Sequence, residues 1–411
     1  MTGHVRLSHA LPAVYAAAAV RLLLPVLVLP LMASRLGAQE FGRLSFVLVW
    51  SSLLSMIVEG GFLAAATRLA VTADAPRRWQ IAQQVFSARC VLCAPAVLLS
   101  VVAVQVAGQG AQAWADTLAI AALACALGWP ATWYLQATQQ LARWARVELV
   151  VYALLIAASW AFAYSVQTYV LMQLAASTLL AWLGWRWLRR DLAAQPQGLW
   201  NPPSLGAGLR LGWTMMPVSI AGAAYSFALP AAASLQMNKA ELGTYFMADR
   251  LVRAVLNAAE PVFAVVYPRI VTLFQQGARV ALRYAARWSV GGAAVGLLLL
   301  GLGVVGWQAI EPLVLQRAGG IDLARLRATM VVLGWLLPLL LGWKFIGYWM
   351  LGSGRFDTAY RACVVVGGMA GTLGAATWGG AAGAVGLAWV AVSVEVLVMT
   401  VAVGGMLLTR R

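Results

Sequence analysis

The chain has 411 residues, 62% of them hydrophobic and only 10% charged, whereas a soluble domain carries about 25% charged residues. Its net charge is +16, but no compact basic domain holds that charge, which argues against nucleic acid as a partner. Apolar runs of roughly 18 or more residues recur from end to end, the pattern of bilayer-spanning helices, so a soluble core is excluded and an all-α polytopic membrane protein is expected.

Twelve spans are predicted, near 11–34, 44–67, 90–107, 117–137, 149–165, 168–185, 212–234, 244–266, 288–310, 328–351, 362–378 and 383–408. The first is longer than a signal-peptide core and lacks a small-x-small cleavage site, so it reads as a permanent span. It carries Arg21, Pro25 and Pro30. The second carries Glu59 in "SMIVEGGF". The third opens on Cys90 and Cys93 in "CVLC"; with Cys125 and Cys363 these are the four cysteines, and the two histidines, His4 and His9, are N-terminal. A zinc site needs about four ligands, so free thiols, no metal and no cofactor are expected.

Trp129, Pro130, Trp133 and Tyr134 fall in the fourth span. Packing is the expected role of these aromatics, although such faces also stack on sugars. Trp182, Trp185 and Trp187 close the sixth span and read as an interfacial belt. "RRDLAAQPQGLWNPPSLGAGLR", residues 189–210, is rich in Pro, Gly and Gln and reads as a cytoplasmic linker between a six-helix lobe, 1–188, and a second, 211–411. The seventh span holds Pro217 and Pro230. Prolines in a span free a carbonyl, so the first helix of each half is expected to bend.

With the N-terminus inside, nineteen Arg/Lys lie on the cytoplasmic side and six outside, and the remaining four, Arg21, Arg250, Arg253 and Lys344, fall within spans. This positive-inside bias places both termini in the cytoplasm.

Sliding the chain by 201 residues lays "GAQEFGRLSFVLVWSSLLSMIVEGGFLAAATR" (37–68) over "NKAELGTYFMADRLVRAVLNAAEPVFAVVYPR" (238–269) without a gap. Glu40 meets Glu241, Gly42 meets Gly243, Glu59 meets Glu260, Phe62 meets Phe263 and Arg68 meets Arg269. With only thirteen acidic residues in the chain, glutamate falling on glutamate is informative. Each segment lies on the second helix of a six-helix half, which implies a parallel repeat about the membrane normal, as alternating access requires. Glu40 and Gly42 read as turn chemistry at a helix start, where an acid suits the positive helix end.

In the eighth span Arg250, Arg253, Asn257 and Glu260 are spaced 3, 4 and 3, which puts them on one helical face. Asp249 lies beside them and can pair with Arg253 at i,i+4. A mid-bilayer charge costs at least ~2.5–3.5 kcal/mol, so such a stripe faces an interior or a wet cavity. Structural readings stand beside this one. Asp249–Arg253 is open to being a buried structural pair. Glu59 and Glu260 are open to being helix-break features held by a basic group, such as Arg68 or Arg269. Lys344 can snorkel to the surface.

"RLGAQEFGRLSFVLVWSSLLSMIVEGGFLAAATR", "AELGTYFMADRLVRAVLNAAEPVFAVVYPRI" and "GSGRFDTAYR" (352–361) resemble segments of the bacterial oligosaccharide flippases of the O-antigen type. That family belongs to the multidrug/oligosaccharidyl-lipid/polysaccharide exporter superfamily. The resemblance implies two six-helix lobes around a central cavity and an undecaprenyl-diphosphate-linked oligosaccharide as substrate, carried across the inner membrane of a bacterium. It implies membrane lipids and polysaccharide polymerase or other assembly proteins as partners, and an ion gradient, H⁺ or Na⁺, as the drive; no P-loop GxxxxGK[ST] is present. Arg21, Arg250, Arg253 and Lys344 would then bind the diphosphate, which suits the forked donors of arginine, and Glu59, Asp249 or Glu260 would couple the ion. The rivals are a drug/cation exporter of the same superfamily and a peptidoglycan-precursor flippase, against which twelve rather than fourteen helices argues. A membrane polymerase or ligase is a further rival, against which the short outer loops and the lack of a catalytic constellation argue, so no enzyme is expected.

Overall fold

The computed structural model describes residues 7–108, 110–194, 198–216, 227–315, 322–353, 357–379 and 381–408. Among them the elements are helical and none is a strand. The chain divides into two compact units, Met1–Arg21 with Phe46–Phe227, and Leu22–Ser45 with Ala228–Arg411.

Helix α1 runs over Leu7–Glu59, 53 residues. At ~1.5 Å per residue it would be about 80 Å long, far more than the ~30 Å of a bilayer core. Gly37, with φ 73° and ψ 169°, divides it into two helices with no loop between. The backbone stays helical through Pro25 and Pro30. Pro217 lies outside the described residues, and Pro230 sits in the first turn of a short helix, where its missing N–H costs nothing.

In the first unit, Gly60 and Gly61 (φ 63° and 75°) end α1, and α2 follows over Phe62–Ala70. Helix α3 spans Ala75–Val106, with the Asp74 carboxylate accepting from the Arg77 N–H and a proline in its first turn. It starts well before residue 90, because the polar stretch "PRRWQIAQQ" continues the helix. Helices α4 (Ala113–Gly128) and α5 (Thr132–Ala137) are separated by a break at Pro130. Helices α6 (Leu141–Phe162), α7 (Val166–Asp191) and α8 (Leu205–Trp213) complete the unit. The second part of the linker is pinned to α3: Gln83 Nε2 donates to the Gly198 carbonyl at 2.7 Å and the Asn201 N–H to Ser87 Oγ at 3.1 Å. These bonds satisfy backbone groups that a loop would leave to water.

The second unit holds α9 (Leu229–Ser234), α10 (Lys239–Ala258), α11 (Glu260–Leu273), α12 (Ala278–Leu315), α13 (Leu323–Gly334), α14 (Leu336–Ser353), α15 (Asp357–Gly374) and α16 (Gly383–Leu408). Asn238 caps α10 by accepting from the Ala240 N–H at 2.9 Å. The segment Leu22–Ser45 of α1 belongs here. Gly42 and Gly243, equivalent in the 201-residue repeat, pack on each other: a Cβ on Gly243 would stand 3.2 Å from the Gly42 Cα, and one on Gly42 would overlap the Lys239 carbonyl. Gly42 therefore serves close helix approach inside a helix, not a turn. Glu40 and Glu241 sit in first turns as expected, Glu40 bonded to Arg43 at 3.2 Å and Glu241 to Arg325 and the Ala384 N–H.

Eight stretches among the described residues are long and apolar enough to cross a membrane. One of them, Val26–Ala70, takes in the end of the first expected span, 11–34, and the whole of the second, 44–67. Of the other expected spans, 212–234 falls partly outside the described residues, 362–378 sits on α15, and 244–266 is charged and broken between α10 and α11.

Candidate functional site

In the second unit the charges of α10 meet as the spacing predicts. Arg253 Nε donates to both oxygens of Asp249, at 2.8 and 3.0 Å. The Asp249 side chain is buried at 8% exposure and Arg253 is 27% exposed. Tyr245 and Glu395 lie within electrostatic reach of the pair. Because Nε carries both bonds, the terminal nitrogens of Arg253 have no hydrogen-bond acceptor among the described residues, and they keep the forked geometry that suits phosphate oxygens. Arg250 lies three residues before Arg253, its guanidinium 5.0 Å from the Phe246 ring centroid. Asn257 and Glu260 are exposed, and Glu260 lies beyond the end of α10 at Ala258, so the stripe is not one unbroken helical face.

Lys344 and Glu260, assigned separate roles from sequence, stand together. Lys344 Nζ donates to Glu260 Oε1 at 2.5 Å and sits 4.2 Å from the Phe263 ring centroid. The two side chains are 35% and 56% exposed, so solvent screens the pair. A double-mutant cycle on Lys344→Met and Glu260→Gln is expected to give a coupling below about 1 kcal/mol in thermal unfolding. A coupling above about 2 kcal/mol would show that the pair is desolvated.

The Arg21 side chain lies outside the described residues. Glu59, in the first unit, accepts from the backbone N–H of Gly61 at 2.9 Å and of Leu63 at 2.5 Å. It thus satisfies amides at the start of α2 that have no helical partner. Its helix-break role is realised, and Arg89 is a cation within its electrostatic reach.

Arg89 is the residue that sequence reasoning passed over. It is 1% exposed. Its Nη1 donates to the Trp129 carbonyl at 2.7 Å and to the Pro130 carbonyl at 2.9 Å. These are carbonyls at the break between α4 and α5. Placing the third span at 90–107 put Arg89 in a loop. Ile81, Val85 and Ala88, all buried, recur at helical spacing upstream and are the signal that the helix begins earlier. The Trp129 carbonyl also accepts from Trp185 Nε1 at 2.9 Å, so Trp185 is part of the packed interior and not of an interfacial belt. Trp187 donates to Gln140 Oε1 at 2.7 Å. All four cysteines are free thiols, and no metal-ligand cluster is found among the described residues.

The profile of the polysaccharide biosynthesis protein family matches residues 14–274, more than half of the chain. The chain belongs to this family. No curated protein sequence matches it. Solved structures share the fold, among them these three. One is the lipid II flippase MurJ in an inward closed conformation, with TM-score 0.65 and 11% identity over 94% of this chain and 86% of that one. Another is a multidrug resistance MATE transporter of the MOP superfamily, inward-facing, with TM-score 0.60 and 13% identity over 95% and 94%. The third is a MOP superfamily transporter from Pyrococcus furiosus, with TM-score 0.55 and 12% identity over 98% and 94%. At such identities the likeness is one of fold. The protein is accordingly an all-α, multi-pass membrane protein with the MOP superfamily fold.

Proposed function

We propose that this protein is a flippase that moves undecaprenyl-diphosphate-linked oligosaccharide from the cytoplasmic to the periplasmic leaflet of the bacterial inner membrane for O-antigen-type surface polysaccharide. The observation that carries the reading is the match of residues 14–274 to the polysaccharide biosynthesis family, on a fold shared with a lipid II flippase. Transport, not bond chemistry, is the activity. The bodies that rock are the lobes 1–188 and 211–411 about the linker 189–210, with both termini cytoplasmic.

A diphosphate cannot cross hydrocarbon without compensating cations. Arg253 is the best placed: Asp249 orients it through Nε, which leaves its terminal nitrogens for phosphate oxygens. Arg250 is its neighbour, and Arg21 and Lys344 are the further cations assigned to the head group. When the substrate leaves, Asp249 is the carboxylate best placed to take up H⁺ or Na⁺, because it is buried and shares its cation with the substrate site. Glu59 and Glu260 are the other coupling candidates, each already engaged, with backbone amides or with Lys344.

The test is flipping of a lipid-linked oligosaccharide in proteoliposomes, with variants shown to be folded and inserted equally. Arg253→Gln, Arg250→Ala and Arg21→Ala are each expected to slow flipping by about tenfold to a hundredfold, the equivalent of the ~1.5–3 kcal/mol of a charged hydrogen bond. Normal flipping by all three would remove the arginines from the site. A wild type that moves no lipid-linked sugar but exports organic cations would replace the flippase reading with that of a drug exporter.

A further inference from the structure

A groove of about 1080 Å³ lies within the first unit, and none of the residues assigned above to substrate or ion is among those that line it. Its floor is apolar. Phe86 meets Trp129 edge-on at 5.5 Å and Trp185 at 5.3 Å, and Ala122, Ala126 and Leu174 extend the floor along the helices. Its rim is cationic. Arg186, Arg189 and Arg190 all line the groove, and their spacing of three and one places them on one face of α7. None of the three has a carboxylate partner among the described residues, and Arg186 stacks over Trp182 at 4.9 Å. Trp182 and Trp200, each 52% exposed, complete the rim.

Arginines at the end of a span are ordinary under the positive-inside rule. An apolar trough running up to three of them, with exposed tryptophans between, is not explained by that rule. We propose that this groove binds an anionic glycerophospholipid of the surrounding bilayer, its phosphate on Arg186, Arg189 and Arg190 and an acyl chain along the Phe86–Ala126–Leu174 floor. The chemistry is complementary at both ends. Guanidinium forks take phosphate oxygens, basic clusters at the bilayer surface draw anionic lipid, tryptophan suits the headgroup boundary, and an apolar trough gives an acyl chain close packing contacts. The inference rests on the membrane fold alone and does not depend on the flippase reading.

Native mass spectrometry of the detergent-solubilised full chain tests it, by titration with phosphatidylglycerol, phosphatidylethanolamine, inorganic phosphate and a polyprenyl monophosphate. Phosphatidylglycerol is expected to bind at least about tenfold more tightly than the zwitterionic lipid. The Arg186→Gln/Arg189→Gln/Arg190→Gln variant is expected to abolish that preference, while Arg279→Gln/Arg283→Gln/Arg287→Gln, which changes charge elsewhere, keeps it. Ala126→Trp fills the trough without touching the arginines and is expected to weaken both lipids alike. Should the triple variant not fold, Arg189→Gln alone is expected to reduce the preference. Equal binding of the two lipids overturns the proposal, as does a preference that survives the triple variant, or unchanged binding in Ala126→Trp. Competition by inorganic phosphate alone would make this a simple anion site, and displacement by the polyprenyl phosphate at lower concentration would make it a polyprenyl site; either result overturns the glycerophospholipid.

Discussion

Arg89→Met is expected to lower the stability of the protein by about 3–5 kcal/mol, from the loss of two charge-assisted hydrogen bonds of ~1.5–3 kcal/mol each. The reason is the break between α4 and α5. Pro130 interrupts the helix ladder and leaves carbonyls that need another donor. Arg89 supplies one nitrogen to both the Trp129 and Pro130 oxygens from inside the packed core, and Trp185 supplies a second donor to Trp129. Methionine fills much of the volume but donates nothing, and it removes a cation within electrostatic reach of Glu59. Melting in detergent is expected to fall by on the order of 5–10 °C. Arg89→Lys is expected to recover part of the loss, because an ammonium keeps the charge but not the planar geometry. Glu59→Gln is expected to cost less than Arg89→Met, because its amide oxygen still accepts from one of the two N–H groups, of Gly61 or of Leu63, that the two carboxylate oxygens take up separately. An Arg89→Met protein that melts with the wild type would show that water or a shifted neighbour satisfies the freed carbonyls.

Gly42→Val is expected to prevent the close seating of α1 on α10. A Cβ at Gly42 falls on the backbone carbonyl of Lys239, and backbone cannot swing aside as a side chain does. Gly42→Ala alone is expected to cost about 1–3 kcal/mol as overpacking, and the branched valine more. Gly301→Ala is the matched control: nothing stands within 4 Å of a Cβ there, and alanine is the better helix former by about 1 kcal/mol. Thermal unfolding of the three variants checks the ranking. Gly42→Ala melting at or above the wild-type temperature would show that the helices separate without penalty.

The same glycines show how much of the fold was legible. The 201-residue repeat aligned Gly42 with Gly243 from sequence alone, and the structure places the two backbones against each other. Their role as approach points was hidden, because a glycine near a helix start reads as well for a turn. Asp249–Arg253 was legible because i,i+4 pairing is local. The Lys344–Glu260 pair spans 84 positions, and no local pattern announces such a partner.

Composition, hydropathy and charge bias by themselves determined an all-α, multi-pass membrane protein, since a chain so poor in charge can satisfy its backbone in lipid only as helices or a closed barrel, and runs of this length are helical. The repeat and the identity of the intramembrane charges were likewise written in residue order. Only the tertiary structure decided which charge meets which, that Leu22–Ser45 packs with the residues after Ala228, and that a buried Arg89 holds a broken helix. Those outcomes depend on contacts between segments far apart in the chain, where burial and the demand of each freed carbonyl for a donor select the partner, and residue order constrains neither.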